Sequence, residues 1–185
     1  MATYTHAVVF YFKSNMVINI HMDASYLTKY KWRSIVGGHY FLGGLPESRE
    51  PIFLKGFIQT IYNLLNHANE YSTESEIGGL FKNARLGKII WLALQKKGHT
   101  QYPTPIHTDN STASVLSSNT VKRKGLWSIY MIYIFLVNDV GGHISYVIWT
   151  PGQKILVDFR TKHHPKATTN ESVHFVSVFK IHLLY

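Results

Sequence analysis

The sequence predicts an α/β domain in which helices pack on one mixed β-sheet. The order of the segments is the first reason, because β-type patterns fill the first third of the chain, and helical and strand patterns alternate after it. The composition is the second, since 185 residues with 45% hydrophobic content suffice for one sizeable core. We expect an N-terminal arm or extra strand at 1–15, the domain at 16–165 and a C-terminal tail at 166–185.

The first two strands are predicted at residues 16–22 and 34–42. Val17, Ile18 and Ile20 are β-formers, and the first strand is expected to end on Asp23. The adjacent glycines at 37 and 38 indicate a bulge or a close backbone approach in the second strand. Two such segments close together predict an antiparallel hairpin. Residues 52–65 are predicted as two more strand segments, although 57–65 also fits a helix.

A long helix is predicted from about residue 72 to Gly98. Thr73 and Glu76 have the spacing of a capping box, and two lysines before Gly98 fit a helix C-terminus. Gly79 and Gly87 inside this segment each cost up to about 1 kcal/mol relative to alanine. They therefore indicate either a weaker helix or close packing against a sheet.

The apolar run (residues 126–137) is the most hydrophobic stretch, and its pattern fits a helix or a strand. It is shorter than the ~20 residues that a membrane-spanning helix needs, so we expect it to be buried in protein. The other elements predicted after the long helix are a strand at 106–108, a short helix at 111–116, a strand at 143–149, a helix at 155–161 and an edge strand in the tail at 172–185.

Charge and cysteine content narrow the class of protein. Lys and Arg number 19 against 10 Asp and Glu, a net charge of +9 that favours an anionic partner, with nucleic acid first and acidic membrane second. The absence of cysteine excludes disulfides, thiolate zinc sites and cysteine nucleophiles. No signal peptide is evident, so an intracellular location is expected.

The eleven histidines lack a zinc-ligand spacing, and Tyr26, Tyr40 and Trp149 are predicted to pack rather than to stack on bases.

Four acids have positions that suit a metal site. Asp23 and Asp109 follow predicted strands, Asp158 lies in the first turns of a predicted helix, and Glu76 lies in the first turn of the long one. Strand ends and helix starts converge on one edge of an α/β sheet. Carboxylates meeting there repel one another unless a divalent cation lies among them, and oxygen ligands suit Mg²⁺ or Mn²⁺. Two such ions ~3.5–4 Å apart support in-line phosphodiester hydrolysis.

Each acid also has a simpler interpretation that the spacing leaves open. Glu76 fits a helix cap, and Asp109 fits an Asx-turn or an N-cap. Asp158 fits a surface acid that the helix dipole favours, and Asp23 fits a turn residue.

Four sequence blocks resemble the ribonuclease H domain of copia-type LTR retrotransposon polyproteins. They are Asp23–Tyr26 with Gly37–Gly43, Ser72–Phe81, Thr104–Ala113, and Trp149–Gly152 with Asp158–Pro165. The resemblance implies a ribonuclease H-like fold, a five-stranded mixed sheet flanked by helices, that cuts the RNA strand of an RNA–DNA hybrid with two Mg²⁺ or Mn²⁺ ions. By position, Asp23, Glu76, Asp109 and Asp158 match the four metal-binding acids of that family, and Glu74 is a solvated neighbour.

The apolar run departs from the family pattern, which has a charged amphipathic helix facing the duplex there. Two hypotheses follow: a metal-dependent ribonuclease H-like endonuclease derived from a retrotransposon, or a catalytically inactive remnant with the same fold that binds nucleic acid weakly. A basic peripheral membrane protein is a third. Cleavage of a hybrid discriminates the first from the other two.

Overall fold

The structure is a computed structural model that describes residues 14–29, 33–44, 56–65, 72–110, 134–139, 142, 144–155 and 157. Its main elements are five strands and one long helix: β1 Val17–Lys29, β2 Arg33–Gly43, β3 Phe57–Leu64, α1 Ser72–Lys96, β4 Thr104–Thr108 and β5 Ser145–Trp149. A short 3₁₀ turn at Gly152–Lys154 follows β5.

The five strands form one mixed sheet in the order β3-β2-β1-β4-β5. The first three strands are antiparallel neighbours, whereas β4 runs parallel to both β1 and β5. The α1 helix connects the antiparallel strands to the parallel ones. The predicted mixed sheet and the predicted hairpin are therefore confirmed, and the ambiguous segment at 57–65 is a strand.

The sequence predicted that the first strand ends at Asp23, and this prediction is wrong. The strand continues to Lys29 because β2 pairs with it beyond that point, with Asp23 opposite Gly37 and Ser25 opposite Ile35. On its other side, however, the parallel partner β4 ends at Thr108. Asp23 thus lies in the middle of β1, at the level where its parallel partner β4 has ended.

The α1 helix packs across β1 and contributes four of the ten residues of the buried core cluster. Two of its glycines lie where a side chain would collide: a Cβ on Gly87 would come within 2.5 Å of Ile20 Cδ1, and one on Gly79 within 3.3 Å of Ala24 Cβ and Met22 Cε. The close-packing interpretation of these glycines is correct. The buried core cluster is Ile18, Ile20, Met22, Tyr40, Ile77, Leu80, Ala84, Leu94, Ile106 and Leu136.

A buried polar link ties α1 to β2. The Tyr40 hydroxyl donates to Asn83 Oδ1 at 2.8 Å, and Asn83 Nδ2 donates to the carbonyls of Gly79 (2.9 Å) and Gly37 (3.3 Å). Burial raises the pKa of the Tyr40 phenol above its ordinary value, so this hydroxyl remains a donor. Gly38 leaves the space that the Asn83 side chain occupies, which is the close approach predicted for the glycine pair.

The end of the apolar run is helical and packed against α1. Within the helical stretch at 134–139, Leu136 joins the core and Phe135 meets Phe81 edge-on, with ring centroids 5.0 Å apart. The next charged residue, Asp139, is buried and accepts a hydrogen bond from Lys88 Nζ at 2.9 Å. In this part of the run Leu136 is buried and the other three residues are half-buried, so it packs within the protein, as the sequence predicted; residues 126–133 lie outside the described residues.

Several predicted elements differ from the structure or fall outside its described part. The strand predicted at 143–149 begins at Ser145, and Ile155, the first residue of the predicted last helix, is extended. The N-terminal arm, the helix at 111–116, Asp158 and the C-terminal tail lie outside the described residues. No described helix has both the length and the hydropathy to cross a bilayer.

Candidate metal centre

Three of the four predicted acids meet at one edge of the sheet. Asp23 comes from β1, Glu76 from the first turns of α1, and Asp109 from the residue after β4. Each offers one carboxylate oxygen, and these three oxygens lie within 4.8 Å of one another. Asp23 and Glu76 are buried, and Asp109 is partly exposed, so the cluster has a closed side and an open side. We call these residues the acid cluster.

The sheet register explains why Asp23 and Asp109 are neighbours. Ile20 pairs with Ile106 and His21 with His107 in the parallel β1–β4 ladder. The same register, continued by two residues along each strand, brings Asp23 beside Asp109. Because β4 ends at Thr108, Asp109 is the first residue of the loop that follows the strand.

Glu76 is positioned by packing at the start of α1. The preceding residue, Ser75, is buried and donates from its hydroxyl to that of Ser34 on β2 at 2.9 Å. One turn later, Gly79 rests on the two residues that flank Asp23 in β1. A Cβ at position 79 would be tightly crowded against β1, so the glycine favours this close approach, which brings Glu76 to Asp23.

The loop after β5 encloses Asp109 from the other side. Trp149 Nε1 donates to the Asp109 carbonyl at 3.0 Å, and the Thr150 amide donates to the Thr108 carbonyl at 2.8 Å. A Cβ on Gly152 would lie 3.1 Å from Asp109 Oδ2, so a glycine lets this loop close against the carboxylate. Sequence reasoning predicted Trp149 to be a packing residue, whereas 52% of it is exposed beside the acid cluster.

A row of histidines crosses the sheet next to the acid cluster. His39, His21 and His107 are register partners on β2, β1 and β4, and the rings of His21 and His107 are 4.7 Å apart. Burial, with added repulsion from the two neighbouring histidines, lowers the pKa of His21 to about 3. Burial also lowers the pKa of His107, whose Nδ1 lies 2.9 Å from Thr150 Oγ1. Sequence reasoning missed this row because it becomes visible only when the strand register is known.

The acid cluster fits a divalent cation. Carboxylate oxygens are the hard ligands that Mg²⁺ and Mn²⁺ prefer, and three of them lie within reach of one ion. Ionised carboxylates at this separation repel one another, most strongly where burial lowers the dielectric constant, and a cation removes that repulsion. No other group of three such ligands occurs in the part of the chain that the structure describes.

The remaining acids have different surroundings. Asp158 lies outside the described residues, so its predicted membership of the site stays a prediction. Glu74 lies two residues before Glu76 in the first turn of α1 and is not part of the acid cluster. Asp139 is paired with Lys88 in the C-terminal half of α1, away from the acid cluster.

The fold is ribonuclease H-like, as shown by its five-stranded mixed sheet and by solved structures that superpose on it. The N-terminal RNase H domain of rv2228c from Mycobacterium tuberculosis is 11% identical over 87% of this chain and 99% of that one, with a TM-score of 0.53. LC11-RNase H1, isolated from compost by a metagenomic approach, is 9% identical over 87% of this chain and 98% of its own, with a TM-score of 0.54.

RNase H1 from the halophilic archaeon Halobacterium salinarum is 9% identical over 86% of this chain and 98% of its own, with a TM-score of 0.52. No family model and no curated protein matches the chain. At these identities the likeness defines the fold alone, and any activity has to be argued from the acid cluster.

Proposed function

We propose that the chain is a metal-dependent endonuclease of the ribonuclease H type, which hydrolyses the RNA strand of RNA–DNA hybrids. One observation carries this proposal: Asp23, Glu76 and Asp109 bring three carboxylate oxygens within 4.8 Å of one another at one sheet edge of a ribonuclease H-like fold. Residues far apart in sequence come from three elements to form this group. A cluster of like charges is costly for folding alone and useful for holding cations.

In this proposal the four acids hold two ions of Mg²⁺ or Mn²⁺. Asp23 and Glu76 form the buried side of the site, Asp109 forms the open side towards the substrate, and Asp158 is the fourth ligand by its sequence position. Bound divalent ions would supply the charge neutralisation and water activation that in-line phosphodiester hydrolysis requires. The net charge of +9 supports a nucleic-acid substrate, because lysine and arginine attract the phosphate backbone.

We infer further that the domain derives from a copia-type retrotransposon. The support is the four sequence blocks, which occur in family order and contain all four acids. The departure at the apolar run is the observation that favours the alternative, an inactive remnant that binds nucleic acid weakly. Phe135 and Leu136 are uncharged and pack against α1 and the core. This part of the run therefore offers no charge to a duplex.

The test is cleavage of an RNA–DNA hybrid by the purified protein in Mg²⁺ or Mn²⁺. We expect cleavage of the RNA strand that chelation abolishes and that Asp109→Asn lowers by at least about 100-fold, because the variant removes a charged ligand. Glu74→Gln is the matched control: it removes a carboxylate from the same helix turn as Glu76 but outside the acid cluster, and should keep near-normal activity.

Two results would contradict the proposal. Absence of metal-dependent cleavage from a folded protein would favour the inactive remnant, and salt-sensitive binding of the hybrid without turnover would be its signature. Cleavage that Asp109→Asn leaves unchanged would place the activity elsewhere. Binding to vesicles that requires anionic lipid would instead support the peripheral membrane hypothesis.

A further inference from the structure

We propose that Trp149 is a substrate-contacting residue, whose exposed ring face packs on a sugar of the nucleic-acid strand held at the acid cluster. This inference rests on the proposed function, since it assumes that nucleic acid occupies that site. It deepens that function by assigning a contact that depends on the nucleotide beside the reacting phosphate rather than on the phosphate itself.

A comparison of two tryptophans carries the inference. Trp91 and Trp149 make the same bond, in which the indole N–H donates to a backbone carbonyl at 3.0 Å: that of Tyr102 for Trp91 and that of Asp109 for Trp149. Trp91 also packs against the hydrophobic core, so its ring has an interior partner. Trp149 leaves 52% of its surface in solvent. Its bond therefore orients a ring that packing within the chain leaves half open.

The position of Trp149 relates that open ring to the acid cluster. Its hydrogen bond is to the backbone of Asp109, the partly exposed member of the cluster, so the indole borders the open side of the site. The loop that follows Trp149, the last residue of β5, carries Pro151 and Lys154, both exposed. An aromatic ring beside a carboxylate site, with an exposed lysine in the segment that follows it, matches a nucleotide, with a sugar for the ring and a phosphate for the cation.

A sugar is the part of a duplex that such a ring can reach. Base faces in a hybrid are covered by neighbouring bases, whereas the sugars of an A-form helix are displayed along its wide minor groove. A fixed indole loses little conformational entropy on contact, because its hydrogen bond already restricts the ring. The contact should therefore strengthen binding without needing any unstacking of the substrate.

The experiment measures binding of a labelled RNA–DNA hybrid by fluorescence anisotropy in EDTA, where cleavage is prevented. We expect Trp149→Leu to raise the Kd about tenfold, because apolar contact area is lost. Trp149→Phe keeps an aromatic ring while losing the N–H donor and part of the ring area, and should raise the Kd by no more than about threefold. Trp91→Leu is the matched control, since it removes the same type of bond away from the acid cluster, and should leave the Kd within about twofold.

Four results would overturn the proposal. They are an unchanged Kd in Trp149→Leu, an equal loss in Trp149→Phe, an equal loss in Trp91→Leu, and no binding of the hybrid by the wild type. A larger loss on single-stranded RNA than on the hybrid would replace the sugar contact by base stacking. Because binding is read without metal, an inactive protein that shows the Trp149 effect refutes the proposed hydrolysis alone, and an active one without the effect refutes this inference alone.

Discussion

Two buried aspartates, one beside the start of α1 and one beside Lys88 in its C-terminal half, have opposite electrostatic surroundings. Asp139 accepts hydrogen bonds from Lys88 Nζ at 2.9 Å and from the Ser145 hydroxyl at 3.2 Å. Asp23, which is as deeply buried, shares its site with the carboxylates of Glu76 and Asp109. Within the described residues, one aspartate is thus held by a cation of the chain, and the other belongs to a cluster of like charges.

The difference separates a structural charge from a candidate functional one. A buried carboxylate is costly unless a partner compensates its charge, and Lys88 does this for Asp139. The acid cluster concentrates negative charge, which makes it suitable for a cation taken from solution. The first arrangement should stabilise the fold at any metal concentration, whereas the second should gain stability when a divalent ion binds.

Removing the cation that neutralises Asp139 should have the largest effect on stability. Lys88→Met leaves a buried aspartate without its counter-charge, and we expect the free energy of unfolding to fall by about 3 kcal/mol. This is the lower end of the usual range, because the Lys88 side chain is 36% exposed and partly hydrated. Urea denaturation in EDTA measures the change.

Two further variants sharpen this prediction. Lys88→Met combined with Asp139→Asn should recover most of the loss, because the buried charge is gone while the amide keeps a bond to Ser145. Lys82→Met is the matched control: among the described residues its ammonium group bonds only an exposed carbonyl, that of Leu64 at 3.2 Å, so we expect a loss of less than about 0.5 kcal/mol. Equal losses in the two single variants would contradict the contrast between the aspartates.

Divalent ions should stabilise the protein through the acid cluster. Ion binding to the folded state adds about 2.7 kcal/mol at an ion concentration one hundred times the Kd. Asp23→Asn should abolish this gain and, in EDTA, should unfold no more easily than the wild type, because it relieves repulsion among the carboxylates. Thermal unfolding with Mg²⁺, Mn²⁺ or EDTA gives both readings. A wild type whose Tm is unaffected by both ions would contradict a metal site.

The sequence was sufficient for the parts of the fold that local chemistry determines. The extent of α1 follows from its polar start and from Gly98, which adopts a φ of +87° just after the helix. The antiparallel pairing of β1 with β2 follows from two β-rich segments close in sequence. The positions of the four acids relative to these elements predict a shared site, and three of the four lie together in the structure.

The features that sequence reasoning missed depend on contacts between distant residues. The end of β1 could not be placed, because Asp23 is mid-strand on the β2 side and at an edge on the β4 side. The pairing of Lys88 with Asp139 joins residues 51 positions apart. The hydrogen bond that holds Trp149 beside the acid cluster joins residues 40 positions apart. No local sequence pattern predicts contacts between residues so far apart in sequence, because the sheet register and the packing of the helix determine them.

The histidine row predicts a smaller and gradual dependence of stability on pH. Burial lowers the pKa of His21 from 6.5 to about 3, so the unfolded state binds more protons than the folded state between these values. The stability contributed by the neutral ring is fully present above pH 6.5 and is lost as the pH falls towards 3. We expect a loss of about 1.4 kcal/mol for each pH unit well below 6.5 from this residue. Urea denaturation in EDTA from pH 7 to pH 5 avoids the range in which most carboxylates titrate.

His21→Leu tests the assignment, since leucine fills a buried strand position and cannot be protonated. Its stability should change less between pH 7 and pH 5 than that of the wild type, even if its stability at pH 7 is lower. His99→Gln, in the partly exposed segment after α1, is the matched control at a histidine outside the row. A slope that His21→Leu leaves unchanged would assign the pH dependence to other groups. The acid cluster beside the row is tested independently of the histidines, because divalent ions should change the stability at constant pH through the cluster and not through the row.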